Sequence, residues 1–219
     1  MSNTPNTLHL RGEPTDDVRR RWRALPVHDG PDGLSIGTQQ VIQYWERPVM
    51  EAMGRVVDRD GGDVLEVGFG LGLSARAIVA TGCTTYTVIE AHPRMAERAR
   101  RWASAPSIPA QVIEGFWQDR VENLPDACFD GILFDTCPIE EAERDVWYRA
   151  FIPHAGRLLR PGGIFTYYAH QIAGNRPRDW QLLARHFSEI ESPMSIPVSP
   201  GVDCQYWHAE TLLVPIVRR

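Results

Sequence analysis

A chain of 219 residues, 43% hydrophobic and 23% charged, is long enough for one sizeable core and has the balance of a soluble globular protein. Its formal net charge of -5 gives no general electrostatic reason to bind nucleic acid or an anionic membrane, and no apolar run is long enough to span a bilayer. All 23 basic residues are arginine, which excludes a Schiff-base lysine, with it pyridoxal phosphate chemistry, and a P-loop lysine.

Residues 1–37 are polar and turn-rich, with Trp22 and Leu25 as isolated apolar anchors. They read as an N-terminal arm or lid, helical near "PTDDVRRRWRAL", ahead of a single domain over 38–219. The start "MSNTPNTLHL" has no secretory apolar stretch, so a cytoplasmic protein is expected. Over 38–58 the apolar residues recur at helical spacing, and Pro48 inside that pattern predicts a break or kink.

The chain then alternates. "DVLEVGFG" (63–70) reads as a buried strand, "LSARAIVAT" (73–81) as a helix closed by Gly82, "TYTVIEA" (85–91) as a strand and "PRMAERARRWA" (93–103) as a helix opened by proline. "AQVIEG" (110–115) and "FDGILFD" (129–135) are two further strands. The helical run "EEAERDVWYRAFIPHAGRLL" is interrupted at Pro153, and "RPGG" (160–163) turns it into the strand "IFTYYA" (164–169). A helix over 179–187 and a last strand over 209–217 close the chain. This alternation predicts an α/β fold: a doubly wound, Rossmann-like, mostly parallel sheet with an antiparallel C-terminal edge strand.

"LEVGFGLGLSA" places Gly68, Gly70 and Gly72 where the first strand of that alternation turns into its helix, allowing a ligand to approach the backbone. The next strand ends on Glu90, at the position of an acid that accepts two ribose hydroxyls. Together they indicate an adenosine-containing ligand. The spacing is G-x-G-x-G rather than the dinucleotide G-x-G-x-x-G, and Glu66 just before the glycines suits a cationic amino-acid-like group better than a diphosphate. That favours S-adenosyl-L-methionine over NAD. Cys83, Cys128, Cys137 and Cys204 are scattered, so no metal and no disulfide framework are expected. Glu46, before Arg47-Pro48, reads on its own as a solvated helix residue, and Asp135 as a turn-former, a cap or a working group.

"EVGFGLGLSA", "VIEAHPRM", "EGFWQDRVENLPDACFDGILFDTCP", "HAGRLLRPGGIFTYY", "YWERPVMEAM" and "DCQYW" resemble the guanidinoacetate N-methyltransferase family over most of the chain. The resemblance implies a class I methyltransferase fold, S-adenosyl-L-methionine as cofactor with S-adenosyl-L-homocysteine as product, and a small guanidino substrate. It implies that Glu90 holds the cofactor ribose, that Gly68–Gly72 lie against its amino-acid portion, and that Trp117 and Gln118 sit at the adenine with Met50 nearby. Gln118 stands where the family usually has an acid. Trp22 matches a family tryptophan in an arm that closes over the active site. The two acids that grip the guanidino group fall on Glu46 and Asp135, which are expected to be catalytic as well as substrate-binding.

The grip agrees with elementary chemistry. A guanidinium has a pKa of about 13 and no free lone pair, so it must be oriented by carboxylates and must lose a proton to attack. Where the family binds the substrate carboxylate with backbone, this chain has His170 and Gln171, and Arg176 or Arg178 is a candidate partner for that carboxylate or a solvated loop arginine. The expected partners are a small guanidino compound (guanidinoacetate, arginine or a related acid), with no nucleic acid and no membrane, in a monomer or homodimer. The alternative is a small-molecule methyltransferase acting on another oxygen, nitrogen or carbon nucleophile.

Overall fold

The computed structural model describes residues 14–105, 108–139, 147–169 and 177–219, with only the backbone at 177 and 178. Helix α1 (Asp16–Arg23) is capped by Thr15, whose hydroxyl accepts from the Val18 N–H, with acids in its first turn and arginines in its last, as the helix dipole favours. An antiparallel ribbon follows: β1 (Val27–Asp29), β2 (Gly33–Ile36) and β3 (Gln39–Gln43). The helical spacing read from residue 38 is overridden here. Gly37, at φ +59°, turns the chain so that Gln39 faces Ile36, and strand pairing takes the next residues. A 3-10 turn at Tyr44–Glu46 leads into α2 (Arg47–Val57), where Pro48 stands in the first turn. Its missing N–H has no partner to lose there, so it starts the helix instead of breaking it.

The remaining elements are β4 (Asp63–Val67), α3 (Leu73–Thr81), β5 (Thr85–Glu90), α4 (Pro93–Ala103), β6 (Ala110–Glu114), α5 (Trp117–Arg120), β7 (Phe129–Phe134), α6 (Trp147–Leu158), β8 (Leu159–Tyr167), α7 (Pro177–His186), β9 (Glu189–Ile190), β10 (Met194–Pro197), β11 (Thr211–Val214) and β12 (Val217–Arg218). Among the described residues the main sheet has seven strands in the order β6-β5-β4-β7-β8-β12-β9. β4 to β8 run parallel, and β12 is antiparallel to both its neighbours. This is the doubly wound, mostly parallel α/β sheet expected. The strand read over 209–217 divides at Pro215: β11 pairs with β10 in a separate ribbon, and β12 enters the main sheet one place in from β9. Pro153 lies inside α6, which continues through it.

Apolar layers cover both faces. On one side α2 and α3 bury Met53, Val57 and Ile78 against the sheet. On the other, Phe151 of α6 is fully buried, stacked on Phe134 at 4.5 Å and edge-on to Trp117 at 5.3 Å. The strand order reverses between β4 and β7, so their following loops diverge and leave a crevice at the carboxyl ends. Deleting the ring at the centre of the second layer leaves a cavity that rigid neighbours cannot fill. Phe151→Ala is therefore expected to lower the unfolding free energy by about 3–5 kcal/mol in urea titrations, and a loss below about 1 kcal/mol would show that this stack is not what holds α6 to the sheet.

Candidate active site

The crevice holds a first cavity of about 850 Å³, whose wall includes Gly68, Gly70, Glu90, Trp117, Gln118 and Trp22. Gly68 and Gly70 have φ of +94° and +50°, and a Cβ on Gly68 would lie 1.9 Å from the Asp135 carbonyl oxygen. Only glycine permits that approach. Glu90 ends β5, and its carboxylate is fastened at the lip of the turn: Oε1 accepts from the His92 N–H (2.8 Å) and Oε2 from the Phe69 N–H (2.9 Å). Burial raises its pKa against these backbone donors, to which the Ala91 and Gly70 N–H groups add. Trp22 of α1 is buried over the same cavity, edge-on to His92 at 5.3 Å and tilted against Phe116 at 5.9 Å. Gln118 Oε1 and Trp22 Nε1 are buried with no hydrogen-bond partner among the described residues. Orphaned polar atoms in an enclosed wall are where a ligand with its own donors and acceptors fits, and an adenosyl group has both.

Three residues expected at the cofactor do not line this cavity. Met50 is fully buried on the core face of α2. Strand alternation sends Glu66 toward α3, where Ser74 donates to Oε1 and Tyr86 to Oε2, so both oxygens are occupied inside the protein. Burial still pushes the Glu66 pKa up to about 7. Gly72 is the N-cap of α3 and faces the Phe69 ring.

A second cavity of about 1080 Å³ shares Val41, Asp135, Thr136, Cys137, Pro138 and Trp147 with the first and adds Glu46, Tyr168, Tyr206 and Arg149. Glu46 is buried in the turn before α2, where Oε1 accepts from the Gln43 N–H (2.7 Å) and from the Tyr206 hydroxyl, with the Tyr168 hydroxyl also bonded to the carboxylate. Burial raises its pKa to about 7 against these donors. Asp135 follows β7, its N–H donating to the Val67 carbonyl at 2.9 Å. Its carboxylate accepts no hydrogen bond among the described residues. It is only partly exposed, and what it is exposed to is the two cavities. Burial, then the charges of Glu46 and Glu66, push its pKa well above the usual carboxylate range. No cation among the described residues offsets either acid; Arg149 is engaged by Asp179 through Nε at 2.8 Å.

The structure thus brings together Glu46 and Asp135, and separately Trp22, Gly68, Gly70, Glu90, Trp117 and Gln118. His170, Gln171 and Arg176, and the side chain of Arg178, lie outside the described residues. Sequence reasoning missed Tyr168, Tyr206 and Arg149. Tyr206 stands in the "DCQYW" segment, whose recurrence was a signal without an assigned role. Cys137 packs by a small apolar cluster with Trp22 and Phe116.

A family model for guanidinoacetate N-methyltransferase matches residues 11–219. Protein arginine N-methyltransferase 2 of Yarrowia lipolytica is 30% identical over 173 residues, 74% of this chain and 35% of that protein. Demethylmenaquinone methyltransferase of Tropheryma whipplei is 31% identical over 155 residues, 70% of this chain and 59% of that protein. The chain therefore spans between about a third and three-fifths of the length of these two relatives. Among solved structures, 1,6-didemethyltoxoflavin-N1-methyltransferase of Burkholderia thailandensis with bound 1,6-didemethyltoxoflavin and S-adenosylhomocysteine superposes with a TM-score of 0.56 at 19% identity, covering 80% of this chain and 79% of that one.

The buried acids give a signed pH dependence. Glu46 and Glu66 have folded pKa values raised from 4.5 to about 7, so the folded state binds their protons more tightly than the unfolded chain does. Their stabilisation is complete below pH 4.5 and is lost as pH rises through 7. His92 and His154, kept neutral by burial, act oppositely by destabilising as pH falls below the histidine range. The difference between variant and wild type isolates the acid. Glu66→Gln is expected to gain stability relative to wild type by on the order of 2–3 kcal/mol between pH 5 and pH 8 in urea titrations of the ligand-free protein. A pH-independent difference would contradict the raised pKa.

Proposed function

The chain belongs to the guanidinoacetate N-methyltransferase family of class I, S-adenosylmethionine-dependent methyltransferases, and on that premise we propose that it methylates a guanidino nitrogen of a small molecule such as guanidinoacetate, arginine or a related guanidino acid. The observation that carries this reading is the pairing of Glu46 and Asp135 on one cavity, whose described arginine, Arg149, is tied to Asp179. Two buried carboxyls, one of which raises the other's pKa by its charge, are relieved by a planar cation with N–H donors on several edges.

When bound, S-adenosylmethionine supplies an electrophilic methyl group on a sulfonium. In this reading Gly68 and Gly70 carry its amino-acid part, Glu90 accepts from the ribose hydroxyls, and Trp117 and Gln118 hold the adenine. The Gln118 Oε1 can accept from an exocyclic amine in place of the acid usual in the family. Met50, Glu66 and Gly72 support that wall from behind.

Glu46, fixed by the Gln43 N–H and the Tyr206 hydroxyl, holds one edge of the guanidinium, and Asp135 holds another. The bound cation draws both carboxyls back toward ionisation. Asp135, whose carboxylate accepts no hydrogen bond among the described residues, takes the proton at a carboxylate Oδ as the nitrogen becomes a nucleophile. Trp22 and Trp147 in the walls exclude water from the exchange. The relative named as a demethylmenaquinone methyltransferase favours a second reading, a nucleophile other than guanidine. That chemistry needs one base and leaves Glu46 dispensable.

The test is methyl transfer against a panel of guanidino compounds and ordinary amines. Asp135→Asn and Glu46→Gln should each lower kcat/KM by about 10²–10⁴-fold, with S-adenosylhomocysteine affinity by calorimetry unchanged. In the wild type kcat/KM should climb as pH passes about 7, where Glu46 of the free enzyme ionises. Normal turnover by Glu46→Gln refutes the two-carboxylate grip, and methylation of non-guanidino compounds alone refutes the substrate class.

A further inference from the structure

Among the described residues the second cavity has one charged group besides the carboxylate pair. Arg149 lies in the first turn of α6, between buried Tyr148 and the open side of the helix, and lines the cavity beside Glu46, Asp135 and Tyr168. Its guanidinium is anchored from behind. Asp179 of α7, itself buried, takes the Nε–H at 2.8 Å and accepts from the Tyr148 hydroxyl at 2.9 Å with its other oxygen. The Tyr148 ring lies under the guanidinium at 5.5 Å, and its hydroxyl is a further partner.

We infer that Arg149 is the anion-recognition group of the substrate cavity, pairing with the carboxylate of a guanidino acid while Glu46 and Asp135 hold its guanidinium. This rests on the function proposed above and narrows it. A guanidinium carries more N–H donors than Asp179 and Tyr148 occupy, and the side chain keeps 29% of its surface open. A strap whose only work was to join α6 to α7 would turn its donors inward. Here the anchor on Nε fixes the rotamer and leaves the terminal Nη groups, the edge that matches a carboxylate in a bidentate pair. The ordering cost of a long side chain is met in advance by Asp179 and the ring beneath it.

The charge pattern adds a second argument. Two acids and one arginine on one cavity are the complement of a zwitterion with a guanidinium head and an anionic tail. An arginine inside a polypeptide has a neutral amide where the free amino acid has its carboxylate. The cavity therefore favours the free acid over the protein-bound residue named for the Yarrowia lipolytica relative.

The first measurement needs no variant. Wild-type kcat/KM is compared for guanidinoacetate against guanidinoacetamide, and for arginine against argininamide. One charge-assisted pair predicts a preference for the acids of about 10–100-fold, carried mainly by KM. The acid-to-amide ratio should then fall to near one in Arg149→Gln and in Arg149→Gln/Asp179→Asn, the double variant also removing the carboxyl that would otherwise stay buried without its arginine. Arg149→Lys, a cation without the fork, should retain an intermediate ratio. Equal use of acid and amide by the wild type, or an unchanged ratio in Arg149→Gln, overturns this inference and leaves the two-carboxylate grip standing. Failure of the wild type to methylate any guanidine overturns both.

Discussion

The close approach of Gly68 to Asp135 is the constraint on which the rest of the site depends. β4 and β7 are neighbours in the sheet, but their chains leave in opposite directions, and the gap between the two loops becomes the ligand crevice. The Asp135 N–H still bonds to the Val67 carbonyl, so the ladder persists one residue past the strand. A side chain at Gly68 would meet the Asp135 carbonyl and force the two strand ends apart. Both cavities share Asp135 as a wall. The residue whose backbone shapes the first cavity therefore also presents its carboxyl to the second. Methyl transfer by direct displacement requires that registration, because its rate depends on alignment more than on any covalent intermediate.

The buried acids show how the same chemistry serves two ends. Glu66 and Glu46 are both deeply buried with pKa values near 7, but their surroundings differ. Glu66 has one hydroxyl on each oxygen, from Ser74 and Tyr86, and faces neither cavity. It joins β4 to α3 and β5 and is complete as it stands. Glu46 takes the Gln43 N–H and the Tyr206 hydroxyl on Oε1, and Asp135 beside it accepts no hydrogen bond among the described residues, on a cavity that both line. Buried carboxyls without counter-charge are a standing destabilisation. In the reading proposed above, a bound guanidinium would remove the repulsion at Glu46 and Asp135, and stability given up in the free protein would reappear as affinity.

What could be read from the sequence followed the range of the determining contacts. The parallel strands, the glycine turn, Glu90 and Asp135 were legible because apolar runs and a turn at their ends are local facts. The segment 38–43 was misread as helical because its spacing fits a helix, while its fate was set by a ribbon partner on the far side of Gly37. Pro48 was misread as a break because its effect depends on whether it falls in the first turn or later. The last strand was read as one because Pro215 divides it between two sheets whose partners, Met194–Pro197 and Leu159–Tyr167, come from elsewhere in the chain. Met50 was expected at the donor from the resemblance and Glu66 from its place before the glycines, but the face each side chain takes is decided by tertiary packing, and neither lines the first cavity. Tyr206 and Arg149 were invisible for the same reason. Nothing near either residue in sequence marks Glu46 or Asp135 as its neighbour.

The element covering the donor cavity is fastened differently from everything beneath it. Trp22 of α1 belongs to a small apolar cluster with Ile36 and Phe116, separate from the two large cores on the faces of the sheet. Around it the arm adds ion pairs from Arg19 to Asp119, Arg23 to Glu114, and Asp29 to Arg98. Two of them have a partner well open to solvent and the Arg23–Glu114 pair is about one-third exposed on both sides; such pairs contribute at most about 1 kcal/mol. The Trp22 indole against His92 and Phe116, with the Arg19 guanidinium over the Phe116 ring, adds the apolar part of the docking. His92 also donates its N–H to Glu90, while its ring bonds to the Leu25 carbonyl just beyond α1. The residue that receives the arm is thus the one that steadies the carboxylate assigned to the ribose, and the cover and the floor of the donor cavity are linked through a single imidazole.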